Sequence, residues 1–271
     1  MADGMIIPPH DWTDTSRYKI YSKMDIAGLA FEFLLRNAEY AVIAKTHLTG
    51  CETARGSDQL AIDAKGIVEA QDWGLDHLQW PAPAMDHRHV FWGKESAPFV
   101  LVVDAIPHCP SGREGFDIGA YGHDAKVLRC PDGTERLSIV RGSSRFLFHI
   151  RRGTVLRGAV DFKLIFEPGA DLKAQRAELD RFIALRFGQA FPPGHGPSQT
   201  EAERYARILQ ALDGERAGAT QREIAEVMFG RERVAEVWGQ DSNWARARIG
   251  RLLREGRALI NLGYLKLLRE F

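Results

Sequence analysis

One stretch of the sequence limits the fold more than any other. "GQAFPPGHGPSQ", residues 188–199, holds three prolines and three glycines. Proline lacks the amide hydrogen that helices and sheets need, and glycine leaves the backbone unrestricted, so no regular element is expected there. We therefore predict a domain boundary within this stretch, and the 271-residue length fits one large domain or two modest ones.

Upstream of this boundary, residues 73–166 show a pattern typical of strands. Residues 99–103, 137–140, 146–150 and 162–166 are short, rich in Val, Ile, Phe and Leu, and bounded by turn formers. Turns are predicted at residues 142–144 and at Asp132-Gly133. A small antiparallel sheet is the expected result. A helix over residues 170–187 should follow, with apolar positions at Leu172, Leu179, Phe182, Ile183 and Leu185.

The N-terminal part has helical spacing instead. Asp25 is a suitable N-cap, Asn37 is a suitable end, and the residues between them place one apolar stripe at Ile26, Leu29, Ala30, Phe33 and Leu34. Residues 11–50 are thus predicted to form a small helical module. Its aromatic-rich helix has more apolar residues than a lone helix can cover, so we expect it to contact another domain or chain.

The composition excludes several classes of protein. With 45% hydrophobic and 27% charged residues the chain is an ordinary globular one, and its apolar runs are too short to cross a bilayer. The first twelve residues lack a basic region followed by an apolar run, so no secretory signal is expected, and the three cysteines are widely spaced without a CxxC pair. These features predict a cytoplasmic protein with reduced thiols that has no membrane partner.

The C-terminal part carries two capping-box patterns. Residues 200–203 and 220–223 both read Thr-x-x-Glu, in which the Thr hydroxyl and the Glu carboxylate satisfy each other's backbone amides. The first helix should bury Ala202, Tyr205, Ile208, Leu209 and Leu212 and end at Gly214. The second should bury Ile224, Ala225 and Met228 and end at Gly230.

A third helix should begin near Asp241 or Ser242 and carry most of the positive charge. The chain has 36 basic and 36 acidic residues, yet residues 242–271 hold seven basic residues against two acidic ones. On an ideal helix Ala245, Ile249, Leu252 and Leu253 share one arc, whereas the arginines lie outside it or on its margin. Gly256 marks a point at which this helix can end early.

Three helices with a cationic last face describe a helix-turn-helix whose third helix enters the major groove of DNA. The connection over residues 230–241 is about three times the usual length, which predicts a variant with an extended second helix or a long loop. The predicted DNA-binding residues are Arg246, Arg248, Arg251, Arg254, Gln221, Arg222 and Asn243.

Each of these features also has a purely structural explanation. An arginine face can be a solvated helix surface, and Thr220 to Arg222 can bind a phosphate or only cap their helix. Trp238 and Trp244 can stack on a base or close a small helical core. His87, His89, His108 and Cys109 could begin a metal site, but their spacing favours no metal. No cofactor is expected.

A family resemblance joins the two ends of the chain. The segments "TQREIAEVMFG" and "RLLREG", with the later "LGYL", resemble the DNA-binding domain of the RovC-like and FseA-like bacterial transcriptional activators. "AFEFLLRNAEY" near the N-terminus resembles the transcriptional-regulator-like module that precedes that domain. The resemblance implies regulators of conjugative mobile elements or type VI secretion genes. The same family contains small antiactivators that bind a partner protein instead of DNA.

The sequence thus predicts an α+β protein with three parts: a helical module over residues 1–70, a strand-rich region over 71–190, and a helix-turn-helix variant over 198–271. The expected function is a sequence-specific, DNA-binding transcriptional activator that is not an enzyme. Expected partners are double-stranded DNA, a second copy of the chain, and a partner regulator or RNA polymerase. An antiactivator-like module is the alternative, and an enzyme built around the middle region is a weaker one, because no catalytic motif is present.

Overall fold

A computed structural model describes residues 11–48, 60–79, 89–109, 114–189, 196–239 and 244–270. The α-helices in these ranges are α1 (Ile26–Leu34), α2 (Ala38–Leu48), α3 (Ile67–Gln71), α4 (Leu172–Arg186), α5 (Gln199–Arg216), α6 (Gln221–Phe229), α7 (Arg231–Val237), α8 (Trp244–Ala258) and α9 (Tyr264–Leu267). The strands are β1 (Ala61–Asp63), β2 (Leu101–Pro107), β3 (Ala125–Arg129), β4 (Glu135–Arg141), β5 (Ser144–Arg152) and β6 (Val160–Leu164). Short 3-10 helices cover Thr15–Lys23 and Ile118–Asp124, and a π-helical turn covers Leu259–Gly263.

The chain divides into two compact units. The first combines the chain up to Val42 with Gly196–Leu267, and the second combines Ile43–His195 with Leu268–Glu270. The N-terminal helices therefore share a unit with the C-terminal ones, although more than a hundred and fifty residues separate them in sequence. Whether residues 1–70, 71–190 and 198–271 fold as separate domains stays a prediction.

The second unit is built on a six-stranded sheet with the order β1-β3-β4-β5-β2-β6. Antiparallel pairing joins β3 to β4 and β4 to β5, as the two predicted turns require, and it also joins β2 to β6. Gly142 has a φ of 60°, which suits the two-residue turn that sets Arg141 opposite Ser144. However, β1 pairs with β3 and β2 pairs with β5 in parallel, so the sheet is mixed and not purely antiparallel as expected.

Aromatic and β-branched side chains form the core of this unit. Phe148 of β5 lies 4.8 Å from Phe182 of α4, ring centre to ring centre, in an edge-to-face contact. Phe182 is 5% exposed, so the predicted helix does bury it. Leu172 and Ile183, which the sequence assigned to the same apolar face, are exposed instead. The helix itself is confirmed, whereas its buried face is narrower than predicted.

The first helices of the chain follow their sequence signals closely. Asp25 caps α1, because its carboxylate accepts the Gly28 amide at 2.8 Å, and every residue of α1 is buried. The predicted end at Asn37 is wrong. α1 stops at Leu34, and the Asn37 side chain accepts the amides of Glu39 and Tyr40 at the start of α2. Asn37 is therefore an N-cap, a role that its short amide serves well.

The C-terminal helices differ from the prediction mainly at their ends. The first capping box is formed by Ser198 and Glu201, so α5 starts before Thr200. Gly214 does not end α5, which continues to Arg216. Likewise, α8 runs through Gly256 to Ala258. An additional helix, α7, occupies part of the long connection, while the proposed caps Asp241 and Ser242 lie outside the described residues.

The α+β class is confirmed by the mixed sheet and by the helices that precede and follow it along the chain. Within the described ranges, no helix combines the length and the apolarity that a bilayer crossing requires.

Candidate DNA-binding surface

The inner face of α8 fixes this helix in the first unit. Ala245, Ile249, Leu252 and Leu253 are buried, as predicted, and α8 packs against α5 and α6. Gly256 is buried in the same face, and a Cβ atom there would lie 2.8 Å from Ile208 of α5. This glycine therefore allows α5 and α8 to approach closely, which explains why it does not end the helix.

The second helix, α6, is held by its capping box. The Thr220 hydroxyl accepts the Glu223 amide at 3.3 Å, and the Glu223 carboxylate accepts the Thr220 amide at 2.7 Å. These hydrogen bonds lower the pKa of Glu223, so the carboxylate stays charged in neutral solution. Ile224 and Ala225 are buried, and Gly214 of α5 leaves just enough room for the Ile224 side chain. The predicted helix is confirmed, although Met228, which was also expected on the buried face, is only half-buried.

The N-terminal residues of the first unit lie against α5 through a buried ionic cluster. The Arg36 guanidinium donates to both oxygens of Asp213, at 2.7 and 2.8 Å, and to Glu32 at 2.9 Å. The Tyr18 hydroxyl donates to the same Asp213 at 2.8 Å. The two carboxylates raise the pKa of Arg36 against the effect of its burial, and burial raises the pKa of Tyr18. These contacts fix the position of α5 relative to the N-terminal residues of the unit, and α8 packs on α5.

The outer face of α8 presents the predicted arginines to solvent. Arg246, Arg248, Arg251 and Arg254 are all exposed. The Arg248 guanidinium carbon lies 5.5 Å from the centre of the Phe229 ring, a cation–π distance. Within the described part of the chain, neither Arg251 nor Arg254 has a hydrogen bond or an ion pair. Their charges are accordingly available to an anion from outside the chain.

Other basic residues nearby are neutralised by the protein. Arg257 lies on the same side of α8, but its guanidinium pairs with Glu215 of α5, with Nε 3.2 Å from one carboxylate oxygen. This pairing raises the pKa of Arg257. Arg204 of α5 pairs in the same way with Glu255 of α8, at 2.8 Å. Both pairs join α5 to α8, whereas Arg251 and Arg254 keep unpaired charges among the described residues.

The remaining predicted contact residues have different surroundings. Gln221 and Arg222 are exposed in the first turn of α6, and the Arg222 guanidinium lies 2.9 Å from Glu226 one turn later. Asn243 lies outside the described residues. No described contact tests whether any of these side chains binds DNA, so their role stays a prediction.

An aromatic pair lies beside the arginines and includes Trp244, whose role the sequence left open. The rings of Phe229 and Trp244 are 5.3 Å apart and half-buried, and Arg233 of α7 lies 5.0 Å from the Trp244 ring centre. Trp244, the first residue of α8, therefore contacts α6 and α7, while Trp238, directly after α7, is half-buried. Sequence analysis missed α7 and its two exposed arginines, Arg231 and Arg233, because only Val234 in this helix is buried.

The residues considered for a metal site are spread over the second unit. His89 contacts the Ser138 hydroxyl at 3.1 Å, His108 lies 3.0 Å from Asp161, and Cys109 is exposed. His87 lies outside the described residues. Among the residues that the structure describes, no group of three His, Cys, Asp or Glu side chains is close enough to hold a metal ion.

Comparison with known proteins finds a matching family model at each end of the chain. Residues 168–269 match the family model of the RovC DNA-binding domain, described as "T6SS, Transcription factor, DNA binding domain". Residues 11–77 match the model of a "Proteobacterial transcriptional regulator-like domain". No curated protein matches the chain significantly. The first match includes α8 with its arginines, and the two matches together confirm the resemblance of this chain to the RovC-like transcription factors.

Proposed function

We propose that this protein is a sequence-specific, DNA-binding transcriptional activator that acts in the bacterial cytoplasm on genes of a mobile element or a secretion system. The observation that carries the proposal is the exposed arginine face of α8, within a segment that matches a DNA-binding domain. Arginine is well suited to this task, since its planar guanidinium can bind a phosphate or the O6 and N7 atoms of guanine in two places at once.

The geometry of α8 suits insertion into the major groove. Its inner face is held by α5 and α6, so the helix can approach DNA as a rigid element. At the centre of its outer face Ala247 is exposed, and a Cβ atom added at Gly250 would meet nothing within 4 Å. Small residues between long arginines leave room for the helix backbone to come close to the base edges, while the arginines reach the phosphates on either side.

The salt bridges between α5 and α8 support the same assignment. Arg204 and Arg257 are occupied by Glu255 and Glu215, whereas Arg251 and Arg254 have no partner among the described residues. Some arginines on this surface are paired within the protein and adjacent ones are not. Binding of a specific anionic ligand explains the unpaired charges better than a general contribution to solubility does.

A partner regulator is the second candidate ligand. The half-buried pair of Phe229 and Trp244 next to Arg248 favours it, because aromatic residues and arginine are enriched at the centres of protein interfaces. Such an antiactivator-like protein would use the same face without any affinity for DNA.

Selection of genomic fragments by the purified protein tests the proposal. Sheared bacterial DNA is mixed with the full-length protein, bound fragments are sequenced, and enriched sites are verified by gel shift. Recovery of a common sequence, lost with the double variant Arg251→Ala/Arg254→Ala, is the expected result. Recovery of random fragments, or none, would refute sequence-specific binding. A reporter gene behind the recovered site then distinguishes activation from repression.

A further inference from the structure

The outer face of α4 is unusually apolar for a solvent-exposed helix. Leu172, Ile183 and Phe187, the residue that caps the C-terminus, are 58%, 43% and 68% exposed. At about 100° per residue these three side chains fall on one arc about 60° wide. Single exposed apolar residues are common on protein surfaces, but three large ones along one arc indicate a contact surface.

This stripe is separate from the face by which α4 joins its own unit. The inner face of the helix is closed by Phe182, which packs on the sheet, and by the buried side chains of Glu178 and Arg181. The sequence pattern had placed Leu172, Phe182 and Ile183 together. The structure assigns them to different faces, so Leu172 and Ile183 are exposed, and Phe187, also exposed, has its ring centre 6.0 Å from the guanidinium carbon of its chain neighbour Arg186.

Charges on the same arc show what can cover the stripe. Arg176 and Asp180 lie between the apolar ends, with side chains that are 85% and 68% exposed and 3.8 Å apart. Along the helix the stripe therefore has an apolar end, a positive charge, a negative charge and a second apolar end. If a second α4 lies against this stripe in antiparallel orientation, each charge faces a charge of opposite sign and each apolar end faces an apolar end.

We propose that the outer face of α4 is a self-association surface, on which a second copy of the chain packs its own α4 in antiparallel orientation. A two-fold axis near residue 178 sets Arg176 opposite Asp180 of the second copy. It also sets Leu172 beside Ile183 and within one helical turn of Phe187 of the second copy, and these contacts occur twice, as in any isologous dimer. A single helix from each copy buries less than about 1,200 Å², so the dimer should be weak and reversible.

The proposal does not depend on DNA binding, and its test is made without DNA. Sedimentation equilibrium of the full-length protein, from low to high micromolar concentration, should show a monomer that converts to a dimer. Ile183→Glu should abolish the dimer. Val68→Glu is the matched control, because Val68 of α3 is 76% exposed but lies off the stripe, and it should associate like the wild type. Circular dichroism verifies that both variants are folded.

Reversal of the charges tests the orientation. Arg176→Glu places two acidic residues against each other and should raise the dimer dissociation constant by about tenfold. The double variant Arg176→Glu/Asp180→Arg restores both opposite pairs and should return the constant to the wild-type value. A wild-type protein that stays monomeric at every concentration would overturn the proposal, as would a dimer that survives Ile183→Glu or a double variant as weak as the single one.

Discussion

The buried ionic cluster around Arg36 gives the most quantitative test of how the first unit is held together. Only 2% of the Arg36 side chain is exposed, and the side chains of Glu32 and Asp213 are 3% and 13% exposed. Arg36→Met keeps a long side chain but removes the charge. Two carboxylates then remain close together in the core without the guanidinium that joins them, while the Tyr18 hydroxyl still donates to Asp213. We expect this to destabilise the unit strongly.

The magnitude follows from the number and burial of the contacts. Breaking a buried ion pair from one side costs about 3–5 kcal/mol of unfolding free energy, out of about 5–15 kcal/mol for a typical domain. Asp213→Asn should cost less, about 1–3 kcal/mol, because Arg36 keeps its partner Glu32 and only the charge of one acceptor is lost. Arg36→Met should therefore lower the free energy of unfolding by more than Asp213→Asn does.

Denaturant unfolding followed by circular dichroism measures both values. Arg17→Met is the matched control, since Arg17 pairs with Asp14 at the surface and its side chain is 56% exposed. Its loss should change the unfolding free energy by less than about 1 kcal/mol. If Arg36→Met changed stability no more than Arg17→Met does, the cluster would not hold the N-terminal residues to α5, and our account of the first unit would be wrong.

Three further predictions concern single positions. Gly250→Ala should stabilise the protein by about 0.5–1 kcal/mol, because nothing packs on this helical glycine. Gly256→Ala should destabilise it by about 1–3 kcal/mol, because the added methyl group would be forced against the side chains of α5. Thermal unfolding of the two variants measures both changes. Burial lowers the pKa of His77 to about 3, so between pH 6 and pH 4 the unfolded chain binds a proton at this residue that the folded chain does not. The free energy of unfolding should therefore fall by up to about 1.4 kcal/mol per pH unit as the pH drops from 6 to 4. His77→Leu should remove that part of the slope in denaturant titrations at each pH. Glu215→Gln should release Arg257 and strengthen DNA binding at low salt in a fluorescence anisotropy titration, whereas unchanged affinity would show that Arg257 cannot reach DNA.

Local signals in the sequence predicted much of the fold and the exposure of the candidate site. The Thr220 capping box, the Asp25 cap and the turn at Gly142 each depend on residues within a few positions of one another, and all three are confirmed. The exposed face of α8 follows from helical spacing alone, because burial of Ile249 and its neighbours turns the arginines outward.

Features that depend on distant residues escaped prediction. Gly214 and Gly256 look like helix ends in sequence, but each lies inside a helix, where an added Cβ atom would come within 3.0 and 2.8 Å, respectively, of a neighbouring side chain. The pairing of Arg257 with Glu215 joins residues 42 positions apart. β1 is only three residues long and depends on its parallel partner β3, so it has no strand pattern of its own. In each case the structure depends on contacts between residues that are distant in sequence, which a local sequence pattern does not reveal.

The central claim, that the α8 arginines bind DNA, is tested most directly by the salt dependence of binding. Labelled duplex is titrated with the wild type and with Arg251→Ala, Arg254→Ala and Arg257→Ala at several salt concentrations. If Arg251 and Arg254 each neutralise a phosphate, each loss should reduce the slope of log affinity against log salt by about 0.9. Arg257→Ala should change it less, since Glu215 already shares that charge. DNA affinity that is absent, or equal and insensitive to salt in all four proteins, would contradict the claim.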